Sequence, residues 1–429
     1  MREMKDSGIE WVGTIPAHWS TMPNKYVMRK IKVINPTYNG ENILSLTVNG
    51  VIVRDLEAGG KMPSSFDGYQ ILYKGNLLMC LFDYDVTPRC IGLIKDSGVS
   101  SPAYSQFVLQ RGNDAAYFYY YYLMVDHTKA LLHRAKNLRH SFTEEQLGAI
   151  KVPVPPIAEQ ERIADFLDSQ CSQIDAISAD IQKEIEILEQ CKRSVITEAV
   201  TKGLNPDVEM KDSQTSWFGN IPQNWSTCKT LYVLKQPITD GPHTTPELYD
   251  EGIPFVSAEA VSCGNGDIDF EHIRGYISQE FYDECCKKYI PQKYDIYMIK
   301  SGATTGKVAI VTTEKVFTIW SPLAAFRCDE NKMLPYFLYY SLQATPFQNQ
   351  VQDGWNYGTQ QNIGMRTLEK LKICKPPLTE QKQIVDYLNK KCSETNIVIK
   401  ELYRQLKTLA SYKESIIYEY VTGKKEVLI

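Results

Sequence analysis

The sequence predicts an α/β (α+β) protein: two mixed α/β domains joined by two long antiparallel coiled-coil helices, in a pseudo-two-fold internal duplication. Three observations lead there. Two sequence motifs each occur twice. Each repeat closes on a long stretch free of Pro and Gly, with apolar residues at heptad spacing. The rest of each repeat is rich in aromatics, turns and short β-like runs.

The first motif runs Met4-Lys5-Asp6-Ser7, Trp11, Gly13, Ile15-Pro16 and Trp19-Ser20. It returns as Met210-Lys211-Asp212-Ser213, Trp217, Gly219, Ile221-Pro222 and Trp225-Ser226. The second is Pro155-Pro156, Glu159-Gln160, Ile163, Asp165 and Leu167. It returns as Pro376-Pro377, Glu380-Gln381, Ile384, Asp386 and Leu388, at an offset of 221 residues. Matched ends with unmatched middles suggest one scaffold carrying two different readers.

The globular parts come first in each repeat, over 1–157 and 204–377. Ile43 to Val48, Gly92 to Ile94, Val308 to Val311 and Phe317 to Trp320 read as strands. Tyr117 to Leu123 and Tyr336 to Leu342 read as aromatic helices. Long helices follow over 158–203 and 378–429. On the first, Leu167, Ile174, Ile181, Leu188 and Val195 fall at every seventh position. On the second, Leu388, Leu402, Leu409 and Ile416 match them, with Thr395 a weak point. Such a stripe over about five heptads predicts a coiled coil roughly 65 Å long. A second seam is expected through Ile163 and Ile177, with Val398 and Leu406 echoing Ile177 and Ile185. Each helix begins after a Pro-Pro, and the two stop near Gly203 and Gly423. Antiparallel pairing would put the globular parts near opposite ends.

Composition bounds the function. Hydrophobic residues at 43% and charged residues at 23% are ordinary for a soluble globular chain. No apolar run spans a membrane, and Met1 to Glu10 has no apolar signal core. The 11 cysteines have neither disulfide-framework nor zinc spacing. A reduced, cytoplasmic chain with no metal and no cofactor is expected. The net charge of −4 does not advertise nucleic acid. The first long helix is acidic and the second basic, however, which favours their pairing or marks two solvated faces.

Motifs with chemical potential mostly reduce to loops. Asn35-Pro36-Thr37-Tyr38 approaches the adenine-methyltransferase motif, but no methyl-donor loop accompanies it. Gly302 to Lys307 has three residues between its glycines and Val308 after the Lys, so it is not a Walker loop. Lys300, Ser301, Thr304, Thr305 and Lys307 can instead contact a DNA phosphate, or serve an ordinary strand connection. His243 and Thr244, in the turn Asp240 to Pro246, can touch a base edge or phosphate. Tyr357, Gln360, Gln361 and Asn362 form an amide-rich run suited to adenine, or a loop capping the next helix. Lys129, Arg134, Lys136, Arg139 and His140 form the densest basic cluster, for phosphates, with Asn137 as a neighbour, or for solvent. Asp83-Tyr84-Asp85 with Thr87 and Arg89 is a further polar loop. No catalytic constellation emerges.

These residues carry a resemblance over essentially the full length. Trp11-x-Gly13-x-Ile15-Pro16-x-x-Trp19, Pro155-Pro156-x-x-Glu159-Gln160 and their echoes resemble the specificity subunit of type I restriction–modification systems. The Asp240-Gly241-x-His243 turn and the Gly302/Gly306 loop also look like that family's target-recognition domains. The resemblance implies two such domains, each reading half of a split target in double-stranded DNA. It implies two docked methyltransferase subunits, restriction motor–nuclease subunits, no membrane, and no catalysis by the chain itself. The first domain has no clear match to the Asp240-Gly241-x-His243 turn. Two other readings compete: a fused methyltransferase–specificity protein, and a coiled-coil scaffold with two protein-binding heads and no DNA role.

Overall fold

The computed structural model describes residues 2–57, 63–135, 140–357 and 361–427. They form two compact units. One joins Met1–Gln182 to Tyr403–Ile429, and the other is Lys183–Leu402. The chain passes between units twice, each time inside a long helix, Ile157–Lys202 or Leu378–Val421. Both helices therefore contribute a half to each unit.

Each unit contains a pairing of the two long helices. In the first, Phe166 packs on Tyr420 with ring centroids 4.4 Å apart, and Asp175 meets Lys413 at 2.5 Å. Rising numbers on one helix meet falling numbers on the other, so the pair is antiparallel. In the second, Lys192 donates to the Asn396 amide oxygen at 2.6 Å, above a cluster of Ile196, Ala199, Ile384 and Leu388. The expected seam is largely interior. Leu167, Ile174, Ile181, Leu388, Leu402 and Ile416 are buried, and Leu188, Val195 and Leu409 are half-buried.

The second seam differs from expectation. Ile177 is 49% exposed and Val398 45% exposed. The inner row is instead Cys171, Ser178, Ile185, Lys192 and Ala199, matched by Cys392, Ile399, Leu406 and Lys413. It lies four residues after the first row, not three. Cys packs as a small apolar residue, and Lys buries its stem while its ammonium finds an oxygen. Apolar scoring misses such a row and selects Ile177 and Val398 beside it.

The globular parts share one plan despite their unlike middles. In the first unit, β1 (Met28–Ile31), β2 (Leu77–Met79), β3 (Ile91–Leu93) and β4 (Ser105–Leu109) form an antiparallel sheet ordered β1-β4-β2-β3. In the second, β5 (Thr239–Asp240), β6 (Ile296–Ile299), β7 (Val308–Ile310) and β8 (Leu323–Phe326) repeat it as β5-β8-β6-β7. A buried aromatic helix follows each sheet, Ala115–His127 and Pro335–Gln343. A short helix and a last strand, Lys151–Val154 or Lys372–Lys375, then lead into the long helix. That strand pairs with Ser20–Pro23 or Ser226–Lys229. In the first unit a second hairpin, Leu44–Thr47 with Gly50–Val53, covers β3. A Cβ on Gly92 would lie 2.6 Å from Val51, so this approach requires glycine there.

The two repeated motifs meet in each unit. Gln160 donates to the Pro155 carbonyl at 2.8 Å and accepts the Asp114 N–H at 2.8 Å. Gln381 does the same with Pro376 at 2.9 Å and Leu334 at 2.8 Å. One amide thus fixes both the start of a long helix and the start of the aromatic helix. Trp19 is fully buried and donates to Glu159 at 3.0 Å, while Gly423 closes over its ring. Trp225 packs under Gly203 in the same way.

Candidate nucleic-acid interface

In each unit the loop joining the second and third sheet strands lies against the segment after the aromatic helix. In the first unit this is loop 80–90 against residues 128–135 and 140–142. Phe142 N–H donates to the Leu81 carbonyl at 2.7 Å, and Tyr84 N–H to the His140 carbonyl at 3.3 Å. In the second it is loop 300–307 against residues 361–363. Ile363 N–H donates to the Lys300 carbonyl at 2.9 Å, and Gly302 N–H to the Gln361 carbonyl at 3.0 Å. Ser301 bridges to Asn362. Phe142 and Ile363 stand at the duplication offset, so the same backbone bond is made twice. The structure thus brings together candidates that the sequence offered separately. Thr87 and Arg89 share a loop pair with Lys129, and Lys300–Lys307 share one with Gln361 and Asn362.

Each loop pair is held by a buried carboxylate. In the first unit it is Asp126, which accepts the Cys90 N–H at 2.7 Å and the Lys129 ammonium at 2.7 Å. Lys129 also donates to the Thr87 carbonyl at 2.8 Å and lies 4.7 Å from the Tyr84 ring centroid. Its ammonium is consumed inside the protein. In the second unit Asp240, 1% exposed, accepts Lys288 at 2.5 Å and Lys300 at 2.8 Å. Burial alone would raise the Asp240 pKa, but the two lysines outweigh it and hold the carboxyl below its usual range. Lys300 is therefore a strut. A Cβ on Gly241 would sit 1.8 Å from the Ile319 carbonyl, so the Asp240-Gly241 turn admits only glycine.

Arg89 is a second strut. It donates to the carbonyls of Val48 at 2.8 Å and Ile91 at 3.1 Å, and to the Tyr119 hydroxyl. Thr87 is half-buried beside it. What remains open to solvent is different. Arg134 is exposed and stacks on Trp11 at 5.2 Å. His243 reaches out, 3.3 Å from Asp240, with Thr244 exposed next to it. Lys307, Gln361 and Asn362 are exposed, and Ser301, Thr304 and Thr305 are half-exposed. Thr305 closes its own turn by donating to the Gly302 carbonyl at 2.7 Å. Lys136, Asn137, Arg139 and Gln360 lie outside the described residues, as does the Tyr357 side chain.

Sequence reasoning missed the tip of the hairpin at Val48-Asn49. Its signal was modest: Asn49-Gly50 after a β-branched run. Among the described residues no group of three or more His, Cys, Asp or Glu is placed to hold a metal. Nor is any helix long and apolar enough to cross a membrane.

Comparison with known proteins bears on this geometry. The family model described as type I restriction modification DNA specificity domain matches residues 65–187 and 243–408. The putative type I restriction enzyme MjaX specificity subunit of Methanocaldococcus jannaschii is 28% identical over 302 residues, covering 70% of this chain and 64% of that protein. The type I restriction enzyme EcoBI specificity subunit of Escherichia coli is 23% identical over 279 residues, covering 64% of this chain and 58% of that protein. The alignments thus span less than two thirds of either relative. A solved chain, reported under "Structural basis underlying complex assembly and conformational transition of the type I R-M system", shares the fold. Its TM-score is 0.64 at 16% identity, over 96% of this chain and 99% of that one. The two stretches matched by the family model take in well over half of the sequence, and the chain belongs to the type I restriction modification DNA specificity domain family.

Proposed function

We propose that the chain is the non-catalytic DNA-reading subunit of a type I restriction–modification complex. Residues 1–157 and 204–377 act as target-recognition domains, each reading one half of a split, asymmetric sequence in double-stranded DNA. The helices over 158–203 and 378–429 join them and dock two methyltransferase subunits, with restriction motor–nuclease subunits joining the assembly.

One observation carries this reading. The same loop pair is built twice, once on each of two sheets of the same strand order, held by equivalent backbone bonds, yet lined by unlike side chains. A basic stretch of sequence, Lys129 to His140, leads into one site and an amide-rich stretch, Gln360 to Asn362, into the other. A scaffold with diverged polar loops suits two readers with two targets. Arg134 and Lys307, with Lys136 and Arg139, supply phosphate contacts. His243, Thr244, Gln360, Gln361, Asn362 and Asn137 supply base-edge or sugar contacts, and Ser301, Thr304, Thr305 and Tyr357 supply further polar contacts.

The test is single-molecule sequencing of DNA from cells that express the cognate methyltransferase, with and without this gene. The expected result is adenine methylation at one bipartite, asymmetric motif that vanishes with the gene. Methylation that is unchanged on deletion sinks the reading and leaves the scaffold without a DNA role.

A further inference from the structure

Val48 and Val86 are among the most solvent-exposed large apolar residues of the described chain, at 62% and 73%. Both are tied to one arginine. Arg89 holds the Val48 carbonyl, and Val86 sits three residues before it on the same loop. The tip itself is stiff. Thr47 Oγ accepts the Asn49 N–H at 3.2 Å and donates to the Gly50 carbonyl at 3.0 Å. Gly50 takes φ +94°, the left-handed bulge position that completes a short hairpin loop. Arg89 is anchored in turn to Tyr119 on the aromatic helix. The Asn49 side chain is exposed and makes no hydrogen bond among the described residues.

A scattered exposed valine needs no explanation. An exposed valine beside a free amide, on a braced tip next to the candidate interface, does. We propose that Val48 and Asn49 form the base-reading tip of the first domain, specific for an A·T pair in the major groove. Val48 packs on the thymine 5-methyl group, and the Asn49 amide pairs with adenine N6 and N7. Arg89 is the positioning residue that aims the tip. The inference rests on the DNA-reading function proposed above and adds a residue pair and a base pair to it.

The test uses the full chain with its methyltransferase subunits and duplexes carrying the bipartite target. Each thymine is replaced singly by deoxyuridine, which lacks only the methyl group, and affinity is measured by competition. One thymine, in one half-site, is expected to show a loss of about three- to fivefold on replacement, the worth of one buried methyl. In Val48→Ala that thymine–uracil difference disappears. In Asn49→Ala discrimination at the partnered adenine falls by about tenfold or more. Val48 and Asn49 are exposed at a turn, so neither change threatens folding. If no thymine responds, or if the difference survives in Val48→Ala, the proposal is overturned while DNA reading stands. If the complex shows no preference for the target at all, the function itself fails.

Discussion

At the scale of single residues, the repeated motifs are junction chemistry. Trp19 and Trp225 occupy equivalent buried places, yet their surroundings differ. Glu159 accepts Trp19 at 3.0 Å, His18 at 2.9 Å, and Arg2. In the second copy Glu380 meets Asn224 at 3.2 Å, and Trp225 Nε1 has no partner among the described residues. Burial pushes the Glu159 pKa up, but the donors outweigh it and the net shift is downward. A carboxyl whose folded pKa lies below its unfolded value adds stability above the unfolded value, near 4.3. That stability is lost as pH falls through the folded value. Wild type is therefore expected to be more stable than Glu159→Gln at neutral pH, with the gap closing below about pH 4.3. Denaturant titrations of both at several pH values check this, and a gap independent of pH refutes it. The glycines offer a paired test. Gly203 has φ +79° and Gly423 φ +69°, so alanine strains both, by roughly 1 kcal/mol. At Gly423 the new methyl would also lie 2.5 Å from Pro16 and 2.9 Å from Trp19, against 3.2 Å from Glu380 and 3.4 Å from Trp225 at Gly203. Overpacking adds about 1–3 kcal/mol there, so Gly423→Ala should lower the unfolding midpoint further than Gly203→Ala.

At the scale of elements, the helix pairing repeats with a change of charge. Asp175 and Asn396 stand at the duplication offset, as do Lys413 and Lys192. One unit has an ion pair where the other has lysine on an amide. Burial lowers the Lys192 pKa. Its ammonium therefore costs stability below the folded pKa, and this is relieved as pH rises toward the unfolded value near 10.4. Asn396→Asp would restore a partner and is expected to stabilise the chain by about 0.5–1 kcal/mol at neutral pH and low salt, fading in concentrated salt. No gain, or a gain indifferent to salt, would contradict the pairing. The same helices show what the sequence made legible. The row through Leu167 and Leu388 stood out because apolar residues fill it. The row through Cys171, Ser178 and Lys192 did not, since only a partner helix gives such residues a reason to face inward. In the globular parts the common sheet was hidden because its strands are two to five residues long and separated by unlike loops. The loop pairing was invisible for a different reason: it is made by backbone bonds such as Phe142 to Leu81, which any side chain permits. Arg89, Lys129 and Lys300 looked like free cations, because a buried acceptor such as Asp126 or Asp240 is recognised only once folded.

At the scale of the whole molecule, the connection between units is purely helical. The chain crosses from one to the other after Gln182 and after Leu402, and both crossings lie within long helices. No loop links them, so helix length is a candidate determinant of how far apart the two recognition sites proposed above can act. Inserting one heptad into each helix at these crossings keeps every core position in register, because the seam repeats every seven residues. It adds about 10 Å of helix, equal to about three base pairs of DNA rise. Insertions of three or four residues do not preserve both rows of the seam: three displace the Leu167 row and four the Cys171 row. The expected outcome is a methylated motif whose two half-sites are unchanged and whose spacer is longer by about three base pairs. Deleting a heptad from both helices should shorten it equally. Sequencing the methylation motif of each variant reads half-sites and spacer together. Changed half-sites would mean that the helices shape the readers themselves, and an unchanged spacer in an active variant would mean that their length does not set the separation.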